Sequence, residues 1–568
     1  MPRLFLILCL LLFASLAKAK LEVNVEPSNK AVKENIIIFL SDVDTADLPK
    51  LKQLYKHVDQ QATQAAQALG YYHTRNHIRL DDTEKKPVLH IDVELGSPVL
   101  LNQVNIEILG EGKGTEAFQL PVAEELAPGK QLNHSAYEGM KSLINNRAQN
   151  YGYFSGKFVQ RQLLINVETN RADINLQYQT GPRFQFGDVT FSSTVFNQSV
   201  LERMVAFDKG AEYQADQVAE FNRDLLASGY FSHVKVTPQP DQAENLQVPI
   251  EVSLTLRDPH SLGLGGGYST DVGARAKLAW DQHWLNPEGH SRGAAMEISR
   301  LRQNLSTYYQ VPLDNKIADN LRYFAGLQHE YIDDVETESV VLGAELHKTL
   351  SNDWERTIGL RAQHDDFSLG EASGDSQLLI PSLTFQRLMV SSRINPDYGY
   401  RLLLDVEGAA RGVISTVDFA RVLTQAKGLY TFLDNHRVLA RLRLGAVATN
   451  EFDDIPPSLR FFAGGDQSVR GYGYQELSPE DSNGENIGGR YLMTSSVEYQ
   501  YEFIDKWRLA TFVDYGNAVN NINDPLKTSV GVGLRWSSPI GSVRIDVARS
   551  LSDPDEDFRI HFSMGPEL

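Results

Sequence analysis

The chain has 568 residues, 22% of them charged, with a formal net charge of -19. An acidic excess of that size excludes nucleic acid or another polyanion as the main ligand, because phosphate binding needs surplus Lys and Arg. The length leaves room for several domains, and the pattern changes near Pro259.

Arg3, the apolar stretch Leu4 to Ala14 and the small-residue exit Ala17-Lys18-Ala19 predict a secretory signal peptide over 1–19, cleaved before Lys20. The stretch is too short for a transmembrane helix. Cys9, the only cysteine, lies inside it. The mature chain then carries no thiol to mispair in an oxidising compartment. No later segment reaches eighteen consecutive apolar residues, so a membrane-spanning reading requires a closed β-barrel.

Between Lys20 and His260 one unit recurs three times: an amphipathic helix, a Gly-aromatic signature, then strand-like segments. The signatures are Gly70-Tyr71-Tyr72, Gly152-Tyr153-Phe154 and Gly229-Tyr230-Phe231, with glycines 82 and 77 residues apart, the length of a small domain. Leu51, Leu54, Tyr55, Val58, Ala62, Ala65, Ala66 and Leu69 form one helical face ahead of the first. Met140, Ile144 and Ala148 precede the second, and Val218, Phe221 and Leu225 the third. Leu89, Ile91, Val93 and Leu95 alternate with polar neighbours as in a half-buried strand. The turns Leu95-Gly96-Ser97-Pro98 and Thr180-Gly181-Pro182-Arg183 mark where one unit ends and the next begins. Domains are therefore expected at 20–96, 97–182, 183–259 and 260–568.

From Ser261 onward the helical period gives way to alternation. Val530, Val532, Leu534 and Trp536 oppose Ser529, Gly531, Gly533 and Arg535; Val543, Ile545 and Val547 alternate with Arg544 and Asp546; Phe558, Ile560, Phe562 and Met564 alternate with Arg559, His561 and Ser563. Lipid-facing apolar and lumen-facing polar residues produce this pattern, and so does a soluble sandwich. Turns are expected at Leu313-Asp314-Asn315, Ile394-Asn395-Pro396-Asp397 and Asp524-Pro525. As a barrel, residues 261–568 at ~10 residues per strand plus connections give about 16 antiparallel strands.

The run Pro457 to Tyr472, with Val469-Arg470-Gly471-Tyr472 at its end, closely resembles the sixth extracellular loop of the BamA/TamA outer-membrane insertase superfamily. Phe512-Val513-Asp514-Tyr515-Gly516 resembles that superfamily's aromatic-x-Asp-x-Gly strand. Arg508, Ala510, Phe512 and Asp514 share the more polar face of that strand. Arg470 can then lie on the Phe512 ring while its guanidinium binds Asp514. Gly531 to Gly541 and Arg544 to Ala548 resemble the next two strands of the family, whose glycines leave room for an inserted loop. Leu264 to Gly273 and the ending Gly565-Pro566-Glu567-Leu568 resemble the TamA type. The helix-and-sheet units resemble POTRA domains, and three of them is the TamA-type number, against two in two-partner secretion transporters and five in BamA-type insertases.

The resemblance implies a cell outer-membrane barrel with periplasmic POTRA domains that inserts or translocates client proteins, autotransporters and other outer-membrane proteins among them. It implies a TamB-type inner-membrane-anchored partner and contact with outer-membrane lipid; sheet edges would accept other chains by β-augmentation. Gly263, Gly265, Gly266 and Gly267 weaken the first strand, and Gly565 with Pro566 interrupts the last beyond Phe562. A weak seam is predicted between about 262–270 and 558–565, which by resemblance opens sideways. No covalent chemistry, cofactor or metal is expected: phosphate-loop, His-Glu-x-x-His and Gly-x-Ser-x-Gly motifs are missing. The acidic run Asp553, Asp555, Glu556 and Asp557 reads as a solvated turn before a calcium site. A two-partner secretion transporter and a passive porin are the alternatives.

Overall fold

A computed structural model describes residues 20–41, 55–81, 88–121, 124–192, 194–313, 319–332, 335–369, 372–392, 395–412, 414–538, 541–554 and 557–565. The expected signal peptide with Cys9 lies outside the described residues, as do Leu51, Leu54, Asp314, Asn315, Ile394, Pro539, Ile540, Asp555, Glu556 and the ending Pro566 to Leu568.

Three small sheets come first. β1 (Lys20–Glu26), β2 (Arg75–Asp81) and β3 (Val88–Glu94) lie in the order β1-β3-β2. β4 (Leu100–Leu109), β5 (Lys157–Asn166) and β6 (Arg171–Gln179) repeat that order as β4-β6-β5, and β7 (Gln185–Phe191), β8 (Phe231–Pro238) and β9 (Gln247–Leu256) as β7-β9-β8. The last strand of each unit is central. In the first two sheets it pairs parallel to the first strand and antiparallel to the second. The outer strands β1 and β2, β4 and β5, and β7 and β8 are thus the edges, which the sequence left open.

The helix before each Gly-aromatic signature forms as the spacing predicts: α2 (Tyr55–Ala68), α3 (His134–Asn150) and α5 (Ala215–Ala227). α2 buries Val58, Ala62, Ala65 and Ala66 in one core with Leu89, Ile91 and Val93 of β3. Gly70, Gly152 and Gly229 have φ of +87°, +79° and +76°, the left-handed turn that glycine makes without steric cost at a helix end. It lets the Tyr71 and Tyr153 amides donate back to the Ala66 and Ala148 carbonyls at 3.0 and 2.8 Å. The tyrosines then enter the cores.

Two helices were not anticipated: α1 (Lys30–Phe39) and the short α4 (Gln198–Glu202). α1 ends in Ile36-Ile37-Ile38-Phe39, a bulky run without helical period, of which only Ile36 is buried. Asn29 starts it by accepting the Val32 amide at 3.2 Å. The chain divides into two compact units, one holding the first two sheets and one the large sheet that follows, with segments of the third sheet's region assigned to each.

That large sheet has sixteen strands in sequence order, β10 to β25, matching the expected number, and every neighbouring pair is antiparallel. Its polarity is inverted relative to a soluble protein. Leu264, Leu342, Leu360, Val497, Val513, Val532 and Ile560 are each at least half exposed on the strands. Asp365, Arg437, Glu498, Asp514 and Arg535 are almost wholly enclosed. A sandwich buries its apolar face, so the sandwich alternative fails; an apolar exterior around a polar interior is the pattern of a transmembrane barrel.

Candidate functional site: a loop held inside the barrel

The site lies where five strands and one long loop meet: β20 (His436–Ala448), β21 (Tyr491–Ile504), β22 (Trp507–Val519), β23 (Lys527–Ser538), β24 (Gly541–Ser550) and the connection 449–490 between β20 and β21. On β22, Arg508, Ala510, Phe512 and Asp514 are buried while Trp507, Leu509, Thr511, Val513 and Tyr515 are exposed, the face assignment read from the sequence. The loop is folded rather than draped. Leu459, Phe461, Ala463, Val469, Tyr472 and Leu477 share a core with Val447, Leu492 and Ala518 of the wall. Arg460, which sequence reasoning passed over, donates to the carbonyls of Ile455, Ile487 and Asp453 at 2.8–2.9 Å and closes the loop upon itself.

Arg470 reaches the wall from this loop. Its guanidinium carbon sits 3.3 Å from the Phe512 ring centroid. Its Nε and Nη2 donate to the two Asp514 oxygens at 2.7 and 2.9 Å, a bidentate fork. Nη1 donates to Glu498 at 2.7 Å and to Asp546 at 3.2 Å, and Nη2 also to Ser496 at 3.2 Å. Arg470 and its carboxylate partners are at most 4% exposed.

The expected pair is thus part of a larger network. Glu498 also takes Arg535 Nε and Nη2 at 2.9 Å each, Asp546 pairs with Arg535 Nη1 at 2.7 Å, and Arg441 stands 3.8 Å from Asp514. Three guanidinium groups therefore face three carboxylates, and the set is close to neutral. That balance answers a physical demand, because an unpaired charge in such an enclosure costs several kcal/mol.

The remaining loop residues hold its tip. Val469 is fully buried in the loop core. Gly471 has φ +96° and its amide donates to His561 Nε2 at 2.8 Å. The Tyr472 hydroxyl meets Ser550 at 2.5 Å and Asp553 at 2.6 Å. Asp553 is therefore no merely solvated turn residue; its hydrogen bond from Lys527, and then the one from Tyr472, hold its carboxyl below the usual range.

The glycines need a different explanation from the one the sequence suggested. A Cβ on Gly531 would overlap the Phe512 ring, and one on Gly533 would overlap the Asp546 carboxylate and the Arg535 guanidinium. They make room for side chains of the wall, not for the loop backbone. Gly516 does not hold the loop; it lies against the β21 backbone at Met493 and Thr494. Gly531→Ala is expected to push Phe512 off Arg470 and cost about 1–3 kcal/mol, the usual range for overpacking, measured as a shift of the unfolding midpoint in denaturant.

The two ends of the sheet are β10 (His260–Ser269) and β25 (Arg559–Gly565). β10 carries Gly263, Gly265, Gly266 and Gly267 and pairs with β11 (Gly273–Gln282) at ten register positions. β25 carries Phe562 and Gly565 and pairs with β24 at seven. Phe558 falls outside the last strand. Among the described residues no ladder joins β25 to β10. Hydrogen bonds join the two ends just past β10, where the Thr270 amide donates to the Phe562 carbonyl at 3.1 Å and the Phe562 amide to Thr270 Oγ1 at 3.0 Å. The Tyr268 and Phe562 rings lie 5.9 Å apart beside them.

The Omp85 superfamily domain matches residues 285–567. The first POTRA domain of TamA matches residues 22–95, and the surface antigen variable number repeat, also a POTRA, matches 184–255. The outer membrane protein assembly factor BamA of Nitratidesulfovibrio vulgaris is 26% identical over 390 residues, covering 65% of this chain and 49% of that protein. BamA of Neisseria meningitidis serogroup B is 22% identical over 569 residues, covering 87% and 70%. The chain spans about half the length of the first curated relatives it matches. The crystal structure of Haemophilus ducreyi BamA lacking POTRA domains 1–3 superimposes with a TM-score of 0.68 at 18% identity, covering 82% of this chain and all but 1% of that one. At that identity the likeness establishes the fold alone.

Proposed function

The chain belongs to the Omp85 superfamily of outer-membrane barrels with periplasmic POTRA domains, and from that premise we propose that it is a TamA-type assembly factor working on client outer-membrane proteins. The observation that carries this is the pairing of a closely held interior loop with a barrel whose first and last strands, among the described residues, form no ladder with each other. A passive pore has no use for a break in its wall. A strand-accepting edge does, because an incoming β-strand finds unpaired backbone donors and acceptors there. In this reading the edge of β10 or β25 templates a client strand, and the seam opens sideways to release it into lipid.

Two features favour the TamA type over the general insertase. The first 74 matched residues fit the TamA form of the domain, and three small sheets precede the barrel. A TamB-type inner-membrane-anchored protein is then the periplasmic partner, and the sheet edges are where it or a client docks.

Reconstitution tests the reading. The purified chain in liposomes is expected to speed insertion of an urea-denatured outer-membrane protein at least ten-fold over protein-free liposomes. Pull-down from detergent-solubilised envelopes is expected to recover a large inner-membrane-anchored protein. Ion conductance without any acceleration of insertion points instead to a porin.

A further inference from the structure

Beside the Thr270–Phe562 hydrogen bonds of the seam, three ionisable side chains converge from three separate elements. Asp271 lies on the turn between β10 and β11, Asp466 on the interior loop and His561 on β25. Their candidate ligand atoms all lie within 4.8 Å of one another. Asp466 Oδ1 accepts from Thr270 Oγ1 at 2.8 Å and pairs with His561 Nδ1 at 2.7 Å, and the Asp466 amide donates to Asp271 Oδ2 at 2.8 Å.

The arrangement is built rather than incidental. Gly465, at φ +98°, is where a Cβ would come within 2.7 Å of the Asp271 carboxylate, so the loop needs glycine for that carboxylate to approach. The Gly471 amide donates to His561 Nε2 at 2.8 Å, which fixes the ring and leaves its proton on Nδ1, facing Asp466. Asp466 is 7% exposed, and its Oδ2 is buried without a hydrogen-bond partner. A buried carboxylate oxygen left unpaired is costly, and here it belongs to a cluster whose other members are a carboxylate and an imidazole.

We propose that Asp271, Asp466 and His561 form a divalent-cation site that ties the first strand, the last strand and the interior loop together. Two carboxylates and one imidazole are a donor set suited to Zn²⁺, with water or Thr270 Oγ1 filling a fourth position. For His561 Nδ1 to take the cation, the ring's proton moves from Nδ1 to Nε2, and the Gly471 amide, which now donates to Nε2, gives up that acceptor. Because the ligands span the seam, the occupied site resists parting of β10 from β25. Cation binding stands independently, while its action as a clamp rests on the lateral-opening reading above.

Isothermal titration of Zn²⁺ into the chelator-stripped full-length chain in detergent is expected to give one site per chain with micromolar or tighter affinity. Mg²⁺ at millimolar concentration should not compete. Asp466→Asn and, at the less buried position, Asp271→Asn should each weaken binding at least ten-fold while retaining the heat-modifiable migration of a folded barrel. Spin labels on Leu264→Cys and Ser563→Cys should show a narrower distance distribution with zinc. No stoichiometric zinc heat, or unchanged affinity in both folded variants, overturns the site. Stoichiometric binding with an unmoved distance distribution overturns the clamp. If a seam shown to be cross-linked assembles clients normally while zinc still binds, lateral opening fails and the cation site stands.

Discussion

Replacing Arg470 with lysine is expected to lower the unfolding free energy of the barrel by about 3–5 kcal/mol, the cost of breaking a buried ion pair, although the charge is kept. The guanidinium sends its donors in separate directions, to Asp514, Glu498, Asp546 and Ser496. An ammonium is a point charge that cannot reproduce the two-pronged contact with Asp514 or lie flat on the Phe512 ring. At least one carboxylate then stays buried without its partner. Phe512→Ala keeps the ion pairs and should cost less. Asp514→Ala removes one of three anions, leaves the cluster with an excess positive charge, and should cost about as much as the lysine variant. Urea midpoints of the folded band in unboiled electrophoresis, with proteolysis of the 449–490 loop as a second readout, check this. Wild-type midpoints and an equally protected loop in Arg470→Lys would sink the idea that this cluster holds the loop.

The parts of this site that the sequence disclosed are those governed by local period or short motif. Alternation along Trp507 to Tyr515 placed Phe512 and Asp514 on the inner face because successive strand residues point to opposite sides, and the Val469-Arg470-Gly471-Tyr472 motif supplied the other half. Glu498 and Asp546 were not identified as partners, because what brings them to Arg470 is register. Glu498 stands opposite Phe512, Phe512 opposite Gly531, and Gly533 opposite Asp546, across three successive ladders. No single strand carries that information. One signal was present: Thr494, Ser496, Glu498 and Gln500 form a polar row between exposed Met493, Val497, Tyr499 and Tyr501, so Glu498 had to point inward. The same limit explains α1, whose isoleucine run has a strand's composition and a helix's capping residue. It explains His561 too, legible as an inward residue but not as the partner of a loop 90 positions away.

Joining the seam covalently should stop client assembly while leaving the barrel folded. A cleavable bifunctional thiol reagent across Tyr268→Cys and Phe562→Cys spans the seam beside the Thr270–Phe562 hydrogen bonds, and needs no exact disulfide geometry. Cys9 is the sequence's one native cysteine, so with Cys9→Ser in the background no other thiol competes. The energetics favour this seam as the moving part. The two backbone-amide hydrogen bonds at Thr270 and Phe562 are worth about 0.5–1.5 kcal/mol each, net of hydration. Separating β10 from β11 would break a ladder of ten register positions. An opening driven by a client strand therefore begins where the least pairing is lost and where the new strand can restore it. Insertion rates should fall at least ten-fold on cross-linking and return on cleavage. The same reagent across Ala279→Cys and Ala295→Cys, already paired between β11 and β12 (Ser291–Ser299), should change nothing. Unchanged insertion by a fully cross-linked seam would place client release elsewhere, through the lumen or along the outside of an unopened wall.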